Sequence, residues 1–192
     1  MNRLFFALLP TALERGAAQI ATREIAIRHP PTGLVVPSED FHVTLLFLGT
    51  LTDEQQLAAQ LAGRAVACGP FALRFELASC FKNRDLPWWI GCRTTVPQAQ
   101  TLRDALHDAL LKTDIPLPRR MTFVPHITIR RREVRVLAPT PVTPFEWQAG
   151  DFALVRSHPA RTVGRYEIVE RFALRERPAE ASRPEPDQLS LL

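Results

Sequence analysis

Apolar positions along this chain fall into short runs and helical stripes that alternate. Arg3–Leu9 is an apolar run that stops at Pro10 and predicts a first strand. Pro10 and Thr11 then suit a helix start, with Leu13, Ala17, Ile20 and Ala21 recurring at helical spacing. That helix should fade before His29, Pro30 and Pro31. A loop through Gly33 and Pro37 leads to Val43–Leu48, a run of apolar, β-branched and aromatic residues closed by Gly49. Thr52 and Asp53 open a second helix, with Leu57, Leu61 and Ala65 as its inner stripe. Phe71–Ala78 alternates apolar and polar and predicts a strand, and the polar stretch Cys80–Pro87 reads as a loop over a cleft. A strand with Trp88, Trp89 and Ile90 follows, then a third helix from Pro97 with Leu102, Leu106 and Leu110 on one face. Residues 124–129 form another apolar strand. Pro139, Pro141 and Pro144 predict a loop. Phe152–Ser157 and Tyr166–Leu174 predict a closing hairpin around Gly164.

The pattern repeats. Phe5 stands 37 residues before His42, and Trp89 stands 37 before His126. Each half reads strand, helix, strand at equal spacing, which predicts two lobes about a pseudo-two-fold axis. Residues 1–175 would form this bilobal domain. Residues 176–192 change to a proline-rich composition without apolar periodicity until the last five, which predicts a flexible tail.

The two repeated strands carry the chemistry. Residues 41–49 read FHVTLLFLG and residues 124–129 read VPHITI, so His42-x-Thr44 returns as His126-x-Thr128 after 84 residues. Side chains two apart on a strand share a face. Each strand therefore presents an imidazole and a hydroxyl together. Two histidines in one cleft supply a proton acceptor and a proton donor near neutral pH, and threonine hydroxyls can donate to an anionic oxygen. That set suits cleavage of a phosphodiester. The motifs are nearly symmetric and do not say which histidine is the acid.

Composition narrows the setting. The chain has 192 residues, 46% of them hydrophobic, enough for one domain with a real core. A net charge of +4 is compatible with a polyanionic partner. Arg119, Arg120, Arg130, Arg131, Arg132 and Arg135 form a basic cluster with Glu133 as the only acid among them. Cys68, Cys80 and Cys92 are odd in number and lack close pairing, so neither a disulfide framework nor a zinc site is indicated. The run Leu4–Leu9 is too short to span a membrane. Two histidines without clustered carboxylates make a poor metal site, so no metal and no cofactor is expected. Aromatic candidates for stacking on a base are Phe5 or Phe6 and Trp88 or Trp89.

The two motif strands, with RLFFALLP near the start and GRYEIVERFAL near the end, resemble the two-histidine phosphoesterase superfamily. Over roughly residues 3–174 the chain is similar to its bacterial and archaeal RNA 2′,3′-cyclic phosphodiesterase branch, also called the 2′-5′ RNA ligase family. The resemblance implies an α+β fold of two pseudo-symmetric lobes, each an antiparallel sheet backed by helices, with the active site between them. It implies metal-independent opening of terminal 2′,3′-cyclic phosphates on RNA, tRNA halves among them, to a 2′-phosphate, with ligation as the reverse. His126 would be the general base and His42 the general acid. Thr44, Thr128 and Arg131, five residues after His126, would hold the phosphate. Action on small cyclic nucleotides or 2′-5′ oligonucleotides, or RNA-end binding without catalysis, stays open. A cytoplasmic monomer is expected. The chain departs from the family at GLVVPSEDF, where Leu34 and Val35 replace a usual Arg-Trp pair and Asp40 a usual Asn. Finally, Gln188–Leu192 resembles the short peptide with which bacterial replication and repair proteins dock on the DNA sliding clamp, which makes the clamp a candidate partner.

Overall fold

A computed structural model gives the fold for residues 2–120, 122–158, 160–161 and 164–176. The proposed tail after Glu176, with its Gln188–Leu192 tip, lies outside the described residues. In chain order the elements are β1 (Asn2–Leu8), α1 (Ala12–Arg28), β2 (Leu34–Val35), β3 (Val43–Leu51), α2 (Asp53–Ala65), β4 (Phe71–Cys80) and β5 (Trp88–Gly91). Then come α3 (Pro97–Leu110), β6 (His126–Arg131), β7 (Thr140–Ala149), β8 (Asp151–Ser157) and β9 (Tyr166–Ala173). The strands join as one antiparallel sheet in the order β7-β4-β5-β6-β3-β1-β8-β9, with β2 added beside β6.

The middle of that sheet is thin. β3 and β6 share the single register pair Val43↔Ile127. On either side the topology repeats. In one lobe β1 lies between β3 and β8, with β9 outside; in the other β5 lies between β6 and β4, with β7 outside. Both central strands lead into a helix, and both helices lead on to the motif strand. β1 is buried on both faces: Leu4, Phe6 and Leu8 enter the main core, while Phe5 and Ala7 join a second cluster with Ala153 and Val155. That period of two makes the second cluster the floor of the cleft in this lobe.

α1 and α3 cross between lobes, while α2 packs on the strands of its own lobe. α1 follows β1 but packs on β7 and β5 of the other lobe, and α3 follows β5 but packs on β3 and α2. α1 lies along the outer edge of β7. Glu14 accepts from the Gln148 N–H at 2.9 Å and Glu24 from the Thr143 N–H at 2.9 Å. Arg28 pairs with Glu24 and donates to the Pro141 carbonyl at 2.7 Å. Consequently α1 buries Glu14, Ala18, Ala21 and Ile25. The expected inner face is only partly right: Ala21 is buried, but Leu13 is 84% and Ile20 62% exposed. The expected stripe of α2 is also displaced. Ala59, Ala62 and Gly63 face inward, and Leu57 and Leu61 face solvent. A small face is needed because the Phe172 ring lies so close that a Cβ at Gly63 would sit 2.6 Å from it. α3 buries Leu102, Leu106 and Leu110 as its spacing predicts.

The prolines near 140 also read differently in three dimensions. Pro141 and Pro144 lie inside β7 rather than in a loop. β7 is the outermost strand of its half, and an edge strand needs no N–H on its outer side. Thr11 and Thr52 each close a capping box, with Glu14 and Gln55, at the helix starts the sequence marks. Among the described residues no helix is long and apolar enough to cross a membrane.

Candidate active site

The seam between the lobes places the motif residues. Val43 and Ile127 are both fully buried in the core, so their neighbours in each strand turn to the opposite, cleft face. Both motif pairs therefore flank this one rung on its cleft face, and the two imidazoles are near enough for a charge on His126 to bear on His42.

Both imidazoles are held by the same local device. The His42 Nδ1–H donates to the Asp40 carbonyl at 2.8 Å, and the His126 Nδ1–H donates to the Val124 carbonyl at 2.9 Å. A carbonyl only accepts, so Nδ1 carries the proton and Nε2 the lone pair. The Thr44 hydroxyl then donates to His42 Nε2 at 3.0 Å. The rings are also walled by aromatics in matching places. Phe5 lies 5.1 Å from His42, and Trp89 lies 6.0 Å from His126. Tyr166 meets His42 edge-on at 4.8 Å, and Phe81 meets His126 edge-on at 4.8 Å. Of the paired candidates, Phe5 and Trp89 face the cleft, while Phe6 and Trp88 are core.

A cavity of about 340 Å³ opens beside His42 and Thr44. Arg131, Arg132, Arg165 and Arg3 line it, with the Asp85 carboxylate among them. Tyr166, Phe5, Phe47 and Ser157 complete the wall. His126 and Thr128 are not part of that lining. Arg131 is anchored loosely, 4.0 Å from Asp85, and its guanidinium donates to the Tyr166 hydroxyl oxygen. The loop after β4 folds over this region, since the Asp85 carbonyl accepts from the Arg132 N–H at 2.8 Å. The wider basic cluster does not act as one surface. Arg120 is tied to Asp108 and Asp104 on α3, away from the cavity.

Burial dominates the electrostatics. It pushes the His42 imidazole down to about 4; the Asp40 carbonyl opposes this, and the Arg131 and His126 charges add to it. Burial likewise lowers His126, against the pull of the Val124 carbonyl. Both rings are therefore neutral at pH 7 in the open cleft. Burial raises the Tyr166 hydroxyl, and nearby Arg131 offsets part of that. Asp40 is 2% exposed and is also raised by burial, with its Oδ1 accepting from the Arg165 N–H at 3.1 Å. Among the described residues no group of three or more His, Cys, Asp or Glu side chains is placed to hold a metal ion.

The sequence missed Arg3, Phe47, Arg165 and Ser157 as cavity residues. Arg132 belongs to the basic cluster and Asp85 to the Cys80–Pro87 loop that the sequence puts over a cleft, and both line the cavity. Arg3 and Arg165 lie in the two segments outside the motifs that carried the family resemblance, so a signal was present. Nothing in the pattern marks Phe47.

A model of the 2′-5′ RNA ligase superfamily matches residues 13–161. The chain is 30% identical over 186 residues to an RNA 2′,3′-cyclic phosphodiesterase of Thermus thermophilus, covering 90% of each chain. It is 29% identical over 175 residues to the Escherichia coli protein of the same description, covering 90% of this chain and 97% of that one. The crystal structure of E. coli LigT complexed with 3′-AMP superposes with a TM-score of 0.77 at 26% identity, covering 90% of this chain and 98% of the other.

Proposed function

The chain belongs to the 2′-5′ RNA ligase superfamily, and on that footing we propose that it is an RNA 2′,3′-cyclic phosphodiesterase working through its two histidines. Water attacks phosphorus, the P–O3′ bond breaks, and a 2′-phosphate remains. His126, neutral through burial, takes the proton from water at Nε2. His42 gives a proton to the departing O3′. Burial chiefly holds His42 neutral, with the Arg131 charge adding to it, and an anionic phosphodiester between His42, His126 and Arg131 favours the charged imidazolium against both, so binding the substrate restores the proton the acid needs. Thr44 and Thr128 donate to phosphate oxygens, and Arg131 adds a planar cationic donor. Ligation of RNA ends through a 2′-5′ linkage follows when a 5′-hydroxyl replaces water as the attacking group, losing its proton to His126 while the P–O3′ bond breaks and His42 protonates O3′.

The observation that supports this reading is the Val43↔Ile127 seam, whose register brings two imidazoles and two hydroxyls to one face. The test is incubation of a 2′,3′-cyclic-phosphate-ended RNA in EDTA, with product identification. The expected product is the 2′-phosphate, and His42→Ala or His126→Ala should each lower turnover by roughly 10²-fold or more. A 3′-phosphate product, activity that EDTA removes and added metal restores, or either variant turning over like wild type would sink the mechanism.

A further inference from the structure

Glu133 is the only acid in the arginine cluster of residues 119–135, and it is 4% exposed. One of its oxygens is used: Oε2 accepts from the Thr32 N–H at 2.9 Å and from the Thr32 hydroxyl at 2.8 Å. The other, Oε1, is buried without a hydrogen-bond partner among the described residues. A buried acceptor left unmatched costs stability, so folding alone does not call for a carboxylate here.

The segment that Glu133 holds runs beside Arg131. β6 ends at Arg131, and the chain turns away through Arg132, whose φ of 55° is uncommon for a residue with a side chain. Along this strand end Leu34 pairs with Arg131 and Val35 with Arg130, and the Val36 N–H donates to the Ile129 carbonyl at 3.1 Å. Gly33 comes so close that a Cβ there would sit 2.3 Å from the Arg131 carbonyl oxygen. The Thr32 bonds to Glu133 close this row of contacts at the turn. The Arg131 side chain itself is 43% exposed and 4.0 Å from Asp85, so its own ties are weak and its backbone decides where it sits. We propose that Glu133 is a positioning residue for Arg131: through Thr32 it fastens β2 along the end of β6 and so fixes where the guanidinium enters the cavity. This rests on the phosphodiesterase reading in taking Arg131 as the cationic partner of the phosphate.

The experiment is isothermal titration of inorganic phosphate into wild type, Glu133→Gln, Glu133→Ala, Arg131→Ala and the Glu133→Ala, Arg131→Ala double variant. Glu133→Ala should weaken phosphate binding about tenfold, and the loss should vanish where Arg131 is already alanine, because the two residues act as one unit. Glu133→Gln should stay near wild type, since its amide oxygen can accept both Thr32 bonds. Removing a carboxylate would not by itself weaken the binding of an anion, so a loss confined to the alanine variant reports the lost bonds. Wild-type affinity in Glu133→Ala, or an equal loss with and without Arg131, overturns the proposal. So does an Arg131→Ala variant that binds phosphate like wild type, or a wild type that binds none. If Glu133→Ala fails to fold, Thr32→Val takes its place, losing the hydroxyl bond alone, and wild-type affinity there overturns the proposal equally. A wild type that binds phosphate but turns over no cyclic-ended RNA sinks the phosphodiesterase reading instead, while the phosphate titrations still decide the role of Glu133.

Discussion

His42 carries two pH-dependent roles with one cause. Its folded pKa of about 4 lies below the ordinary imidazole value of 6.5. Above 6.5 neither folded nor unfolded chain holds the proton, and the stabilisation of the neutral ring is complete. As pH falls from 6.5 through 4, the unfolded chain protonates first, and stability drops by up to roughly 3 kcal/mol. Urea denaturation of wild type and His42→Asn at pH 7 and pH 4.5 should therefore show the smaller acid loss in the variant. Equal losses would place the acid sensitivity elsewhere. In the ligand-free protein, NMR titration should find His42 neutral down to about pH 5, and saturating inorganic phosphate should move its midpoint upward. A midpoint insensitive to phosphate would mean that the anion does not bind beside this ring. Asp85 bears on the same charge balance. Its contact with Arg131 at 4.0 Å is exposed and worth little, so Asp85→Asn should tighten phosphate binding only modestly, by roughly twofold at low salt. A loss of affinity in isothermal titration would show instead that Asp85 positions the guanidinium.

At the scale of elements, the tightest constraint is where α2 meets β9. Gly63→Ala would ordinarily favour a helix by about 1 kcal/mol, yet its new methyl would collide with the Phe172 ring. Overpacking of this kind costs about 1–3 kcal/mol. The expected result is a net lower urea midpoint, and a higher one would mean that the ring yields freely. The same contact explains what the sequence conceals. Strand alternation, the 37-residue echo, the capping threonines and the α3 stripe are local properties, and the structure follows them. Which face α1 and α2 turn inward depends on what meets them. α1 meets a sheet edge, so it presents Glu14 and Glu24 to peptide N–H groups; α2 meets a phenyl ring, so it presents glycine and alanine. Hydrophobicity alone therefore finds Ala21 in α1 but misplaces Leu13, Ile20, Leu57 and Leu61. The candidate site divides in the same way. Motif histidines and threonines are visible as a repeat, whereas Phe47, Asp85 and Arg132 reach the cavity through bulges in the β1–β3 ladder, a loop, and a positive φ of 55° at Arg132.

For the whole molecule, α1 and α3 each pack on the strands of the opposite lobe, so neither lobe has its full cover without the other, although α2 stays on its own. The protein should unfold in a single transition. Trp88, Trp89 and Trp147 all lie in the β6-β5-β4-β7 half, so their fluorescence follows that half, while far-UV circular dichroism follows both. Coincident midpoints are expected, and a fluorescence transition displaced from the dichroic one would show lobes that melt separately. The edge of β7 has a different kind of consequence. An open strand edge is a template on which further molecules can grow. Here two prolines remove donors and two glutamates from α1 occupy others. Substituting Pro141→Thr together with Pro144→Thr should leave turnover intact and still harm the protein in a crowded solution, by turning this flank of each molecule into a docking strip for the next. Light scattering at rising concentration, rather than any assay of the cleft, is where that change is expected, and scattering no different from wild type would mean that α1 alone guards this edge.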